Sequence, residues 1–282
     1  MRTSLLFIFF TVALSLSALA ADDKKGFTSI EHLIQTGIVE AKLKGVGRFQ
    51  EKSISITLQN KTGDSVKVWI EAGRRLISDN PIYQDIFIVK EQFILLMPLE
   101  SRNDMIYGFC CQVNDHVPAK DSSFSIGSMA PISWIQLAEF IDQNSFPIQD
   151  IQHSIWSVSD NLPISIIGGS EPLKRKVAEI KGIPVPWYSL TFEKDTALLF
   201  SGKAESLSGE IGYYLKNNAM VTVNIRSSNG LIKTTLMSDK KQSPGSYTIP
   251  IELDVKGWPK GKYAVYVYFD GATLLSKTDF EL

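Results

Sequence analysis

The sequence predicts an α+β N-terminal domain, a β-sandwich or barrel carrying a helical subdomain, followed by an all-β immunoglobulin-like sandwich. Three observations predict it. Apolar and polar residues alternate through most of the chain up to Val113, the period lengthens to that of a helix after Ser128, and alternation returns beyond Trp187.

The first elements precede the fold. Arg2 is followed by an apolar run from Leu5 to Leu14 and then by Ala18-Leu19-Ala20, a small-x-small cleavage pattern, so residues 1–20 read as a secretory signal. The apolar core is too short for a bilayer span, and no later stretch approaches the roughly 20 apolar residues a spanning helix needs. The expected product is exported and does not span a membrane, and with no Cys after the cleavage site it carries no lipid anchor there. The charged, small residues from Ala21 to about Thr28 read as a flexible leader.

Strands come next. Ser53 to Leu58, Val66 to Ile70, Ile86 to Val89 and Phe93 to Leu96 each place alternate apolar side chains on one face, with turns at Gly63-Asp64, Gly73 and Asn80-Pro81. Met105 to Val113 continues the series and holds both cysteines. Helical spacing of Trp134, Leu137, Ala138 and Ile141 then predicts a helix over 131–142 with Ser128 as its cap. Ile148, Ile151, Ile155 and Val158 predict a second over 147–158, and a third runs over 171–181 between a Ser170 cap and a Gly182 stop. The Pro184-Val185-Pro186-Trp187 segment cannot continue a helix, which sets the division at 21–187 and 188–282. In the second domain Asn229-Gly230 and Asp270-Gly271 each join two alternating runs, the signature of tight hairpins. About seven short strands suit an immunoglobulin-like sandwich lacking the antibody-type Cys pair. The run Gly261-Lys262-Tyr263-Ala264-Val265-Tyr266-Val267 resembles the last hairpin of sandwich modules appended to bacterial secreted and surface proteins. Asn60-Lys61-Thr62 fits a glycosylation sequon.

Charge and motif content narrow the function. With 29 Lys and Arg against 30 Asp and Glu, the chain lacks the cation excess that phosphate backbones require, so no nucleic-acid partner is expected. His32, His116 and His153 show no metal-ligand spacing, and there is no nucleophile elbow, phosphate-cradling loop or H-E-x-x-H. No metal and no cofactor are expected.

Cys110 and Cys111 stand out as adjacent cysteines with no other mate in a chain bound for an oxidising compartment. Three readings are open. The two pack as small hydrophobes on opposite faces of a strand, or they close a vicinal disulfide, or one of them meets Gln152. Gln152 lies at the margin of the apolar stripe of its helix, where an amide must find partners or bear a desolvation cost of about 1–3 kcal/mol. Loss of ammonia between that amide and a thiol gives a thioester, an acyl group activated toward amines. A Cys110 or Cys111 thiolate paired with His116 or His153, as in a cysteine hydrolase, is the enzymatic counterpart.

The step Phe109-Cys110 on a strand, followed by Gln152-His153-Ser154-Ile155-Trp156 on a helix, resembles the thioester domains of bacterial surface adhesins, whose motifs are an aromatic-Cys strand and Thr-Gln-x-Ala-Ile-Trp. The resemblance covers residues 107–156. It implies that Cys110 supplies the sulfur and Gln152 the acyl group, and that the bond captures amines on a host protein. The chain departs from the pattern at Ile151, at Ser154, in its second cysteine and in a shorter separation between Cys and Gln. The expected function is therefore a non-enzymatic binding, adhesion or envelope-assembly protein. Its partner would be an extracellular protein or glycan, met in the periplasm, at the cell surface or outside the cell. The alternatives are a secreted enzyme with a cysteine nucleophile and a purely structural envelope protein.

Overall fold

The computed structural model describes residues 23–193, 199–271 and 273–282. The expected signal, residues 1–20, lies outside them. Strands make up 49% of the described residues and helices 17%, so the described molecule is β-rich. The first part contains β1 (Asp23–Lys24), β2 (Phe27–Ser29), α1 (Ile30–Gln35), β3 (Val39–Val46), β4 (Lys52–Asn60), β5 (Val66–Ile70), β6 (Arg74–Ser78), β7 (Ile86–Ile88), β8 (Gln92–Leu96), β9 (Ser101–Cys110) and β10 (Lys120–Met129). Then come α2 (Ile132–Asp142), α3 (Ile148–Ser159), a 3-10 turn (Ile164–Ile166) and α4 (Glu171–Lys181). The last part is β11 (Tyr188–Phe192), β12 (Ala204–Leu215), β13 (Ala219–Ser227), β14 (Ile232–Gln242), β15 (Gly245–Asp254), β16 (Lys262–Phe269) and β17 (Thr273–Glu281).

Six strands close a barrel in the order β10-β3-β4-β9-β7-β6, and β1-β2-β5-β8 form a separate sheet beside it. The barrel interior and the inner face of that sheet share one core, in which Leu43, Ile54, Ile56, Leu76 and Ile106 meet Val68 and Ile94. On the far side of the barrel wall a second core holds α2, α3 and α4 through Leu137, Ile141, Ile151, Ile155, Leu173 and Val177. β7 and β9 serve both cores. Ile86, Ile88, Ile106 and Cys110 face the barrel, whereas Phe87, Phe109 and Cys111 face the helices. The pairing Ile86↔Cys110, Phe87↔Phe109 and Ile88↔Gly108 keeps the two faces in step, because successive side chains of a strand alternate. Gly108 is required at its place, since a Cβ there would collide with the Ile86 side chain.

Sheets β11-β12-β15 and β14-β13-β16-β17 enclose a third core, built on Leu207, Ile211, Val221, Val223, Ile225, Ile251, Val265 and Val267. Both expected hairpins form. Gly230 (φ +83°), Asp270 (φ +47°) and Gly271 (φ +85°) take the left-handed backbone that such tight turns require.

Several local expectations are corrected. The leader is not free over its described part: β1 pairs with β2, Lys24 bonds Glu91 at 2.6 Å, and Phe27 meets Phe93 edge-on at 5.2 Å. Ser128 lies in β10, and the entering residue of α2 is Pro131, with no side-chain cap. Ser170 does precede α4, but its hydroxyl goes to Asp150 instead of capping. The cysteine-bearing strand is Ser101–Cys110, so it starts earlier and ends earlier than the period suggests. Asn60 of the sequon is wholly buried. Its amide nitrogen donates to the carbonyls of Asp64 (2.7 Å) and Met97 (2.9 Å), and its oxygen accepts from Thr62, so the side chain locks a turn and offers nothing to a glycosyl donor. No described helix is long and apolar enough to cross a membrane.

A buried ion network ties β6 to the start of the fold. Arg74, 2% exposed, donates to Glu71 through Nε and Nη2 at 2.7 Å and to Glu31 through Nη1 at 2.6 Å, while Ser29 bonds Glu71. Removing one member of a buried pair strands the other charge in a low dielectric. Arg74→Met is expected to cost about 3–5 kcal/mol in urea unfolding, and a loss below about 1 kcal/mol would show that Glu71 is neutralised some other way.

Candidate functional site at Cys110 and Gln152

Both members of the sequence-predicted pair are fully buried, and the fold brings them together. Gln152 Nε2 donates to the backbone carbonyl of Cys110 at 2.7 Å. The contact follows from how β9 ends. β4 begins only at Lys52, so beyond Tyr107 the edge of β9 is met by residues 49–51, with Gly108 N donating to Glu51 O (2.8 Å) and Cys110 N to Phe49 O (2.9 Å). The Cys110 carbonyl points along the same edge as its N–H, and the Gln152 amide supplies the donor that a neighbouring strand would have given. Gln152 Oε1, also buried, has no hydrogen-bond partner among the described residues.

The thiols occupy different surroundings. Cys110 packs in the barrel core with Ile86 and Ile106, and Cys111 packs in the helical core with its Sγ 3.4 Å from the carbonyl of Asp85. Both cysteines are free. Burial, with the neighbouring Cys111 and Asp85, pushes the Cys110 thiol well above its ordinary range. Burial and Asp85 raise Cys111 in the same direction, with Arg75 pulling weakly against them. Each is therefore a protonated thiol at neutral pH. A hydrolase nucleophile needs the opposite, an exposed thiolate next to a base.

Around Gln152 the helix is anchored by polar bonds. Asp150 accepts from Gly168 N (2.9 Å), Ser170 N (3.1 Å) and Ser170 Oγ, which fixes the loop entering α4. His153 places Nδ1 2.6 Å from the carbonyl of Ile166 and Nε2 2.7 Å from Gln149 Nε2. The carbonyl can only accept, so Nδ1 carries the proton and Nε2 accepts from the Gln149 amide. With both ring nitrogens spent, His153 has none left for either cysteine. His32 and His116 are exposed, and His116 serves the backbone by bonding Ile82 and Gln84. Among the described residues no group of three or more His, Cys, Asp or Glu could hold a metal ion.

The aromatic wall of the site was not legible in the sequence. Phe49, Trp156, Phe192 and Phe200 line one cleft beside α3, although they come from four separate segments. Only Trp156 carried a signal, as the last residue of the Gln152 motif. The chain matches no protein-family model and no curated protein sequence.

Burial lowers the pKa of His153 from 6.5. Its folded form thus binds a proton less readily than the unfolded chain, so stability is full above pH 6.5 and falls as the pH drops toward the folded value. Urea midpoints measured between pH 7.5 and about 5 should decline in the native protein and decline less in His153→Gln, which keeps hydrogen-bonding capacity without a titrating ring. Identical slopes in the two proteins would remove His153 as the cause.

Proposed function

We propose that the chain is an exported, non-enzymatic binding or adhesion protein of the cell envelope or surface, with an α+β domain over residues 21–187 and an immunoglobulin-like sandwich over residues 188–282. In this reading Cys110 and Gln152 form an internal thioester that captures amines on an extracellular partner. One observation carries it. Gln152, a wholly buried amide on a Gln-x-x-Ile-Trp helix, sets its nitrogen on Cys110 and leaves its oxygen without a partner.

The step balances within the two side chains. The Cys110 thiol adds to Cδ of Gln152, the S–Cδ bond forms as Cδ–Nε2 breaks, and the thiol proton leaves with the nitrogen as ammonia. No oxidant and no thiolate are needed, which suits thiols held protonated by burial. Closure requires Sγ to turn from the barrel core toward the seam that Gln152 fills. A primary amine then adds to Cδ, the sulfur leaves and recovers a proton, and an amide joins the two molecules. A dry site keeps water from hydrolysing the bond in the meantime.

The same observations weigh against the competing readings. A cysteine hydrolase lacks its thiolate and its imidazole here. A vicinal disulfide would likewise require one sulfur to leave the core it packs in, the same movement the thioester asks of Cys110, and it gives no account of the buried Gln152 amide set against Cys110. The division into two domains is supported by the third core and by the seven strands that follow Trp187 with no intervening helix among the described residues.

Two measurements test the reading. The intact mass of the denatured mature protein is expected to be one ammonia lighter than the sequence, to gain one methylamine on incubation with that amine, and to show neither change in Cys110→Ala or Gln152→Glu. An unmodified mass with two titratable thiols would overturn the thioester, and a mass lower by two hydrogens would indicate the disulfide. Limited proteolysis should release a stable fragment beginning near residue 188, and failure of residues 188–282 to fold alone would overturn the division.

A further inference from the structure

The sheet β14-β13-β16-β17 carries a depression of about 500 Å³ on the side away from the third core. Val223 and Ile225 of β13 and Val265 and Val267 of β16 point into that core, so the alternate residues Asn224, Arg226, Ala264, Tyr266 and Tyr268 point out of it. The register sets Asn224 opposite Tyr266 and Arg226 opposite Ala264, and on the far side of Ala264 lies Asp279 of β17. Ala264 is small, so it leaves a floor between its two charged neighbours.

Arg226 is held in place before any ligand arrives. The Tyr266 and Tyr268 rings are parallel to within 6° at 6.0 Å, and the guanidinium lies 5.3 Å and 5.1 Å from their centres. Its Nε donates to Oδ1 of the buried Asn224 at 2.9 Å. Both Nη groups are left without a hydrogen-bond or ion-pair partner among the described residues. A guanidinium fixed in this way presents two parallel N–H donors, the geometry that a planar carboxylate accepts in bidentate fashion.

The rim selects among anions. Lys262 is exposed at one end and makes no ion pair with Glu281, its neighbour in the ladder, whereas Lys277 and Asp279 neutralise each other at 2.7 Å. Arg226 and Lys262 thus attract a single anionic group, and around them stand hydrogen-bond donors (Ser228, Lys277) and acceptors (Asp279, Glu281). A polyanionic chain would meet repulsion from the two acids, and a neutral sugar would leave the guanidinium unused. A carboxylate carried on a ring of hydroxyl groups uses both features.

We infer that this face binds an acidic saccharide of the hexuronate type, its carboxylate on Nη1 and Nη2 of Arg226, its ring beside Tyr266 and its hydroxyls on the rim. The site is built entirely from residues beyond Trp187, so it rests on neither Cys110 nor Gln152.

Calorimetric titration of the full-length mature protein with tetramers of galacturonate, mannuronate and guluronate tests it. At least one should bind saturably, about tenfold or more weakly in Arg226→Gln and about threefold more weakly in Lys262→Gln. Arg226→Lys, which keeps the charge without the fork, should recover only part of the loss. Methyl esterification of the carboxyl groups should abolish binding, and this comparison makes the same test on the native protein should Arg226→Gln not fold. Absence of saturable binding by all three tetramers, equal binding of the ester, or unchanged affinity in both Arg226→Gln and Lys262→Gln would overturn the inference. Tetraglutamate bound as tightly as the best uronate would assign the face to an acidic peptide and overturn the saccharide.

Discussion

The rest of the N-terminal structure depends on a barrel wall that is dry on both sides. β7 and the end of β9 send Ile86, Ile88, Ile106 and Cys110 into the barrel and Phe87, Phe109 and Cys111 into the helical core. A strand buried on both faces cannot slip by one residue without exchanging its two sets of side chains, so the register of Ile86↔Cys110 is fixed by two cores at once. The helices sit where they do because Phe87 and Phe109 need cover. Trp134 of α2 meets Phe87 edge-on at 5.5 Å, and Ile151 and Ile155 of α3 join the same cluster. The position of Gln152 against Cys110 is a consequence of that packing.

Double-sided burial also sets the polar chemistry. At the end of β9 the ladder to β4 runs out before the strand does, and each freed backbone group must find a partner inside the protein. Residues 49–51 take the N–H groups of Gly108 and Cys110, Ser53 Oγ donates to the carbonyl of Gly108 at 3.0 Å, and Gln152 takes the carbonyl of Cys110. An amide at that point satisfies the strand, and it also lies beside a thiol-bearing residue. Structural need and chemical opportunity coincide in Gln152. The same rule explains Arg74 and Glu71, which are tolerated in the interior only because each neutralises and hydrogen-bonds the other.

Much of the architecture was legible because it rests on local pattern. α4 spans the expected 171–181, with Gly182 at φ +64° ending it. The apolar stripe Ile148, Ile151, Ile155 and Val158 of α3 faces its core, and Asn229-Gly230 and Asp270-Gly271 turn the hairpins. The elements missed have weak local signals. β3 reads Val-Glu-Ala-Lys-Leu-Lys-Gly-Val and β10 is rich in Ser, yet β3 is held between the next strand β4 and the distant β10, and β10 between β3 and β6. α1 has only six residues and no N-terminal side-chain cap; it is held by burying Ile30 and Leu33 and by Thr36 Oγ1, which donates to the carbonyls of His32 and Leu33.

The sequence by itself determined the period of the helices α2 to α4 and of strands such as β4, β5 and β8, several turn positions and the anomaly of a glutamine on an apolar helical stripe, since all of these are properties of neighbouring residues. Only the tertiary structure decided that β4 stops short of the end of β9 and leaves the Cys110 carbonyl for Gln152 to meet. It alone set Cys110 and Cys111 in different cores, and it alone gathered Phe49, Trp156, Phe192 and Phe200 around one cleft. Those outcomes depend on which distant segments pack together, and the free energy of such packing comes from area removed from water across the whole core, a quantity that no window of sequence contains.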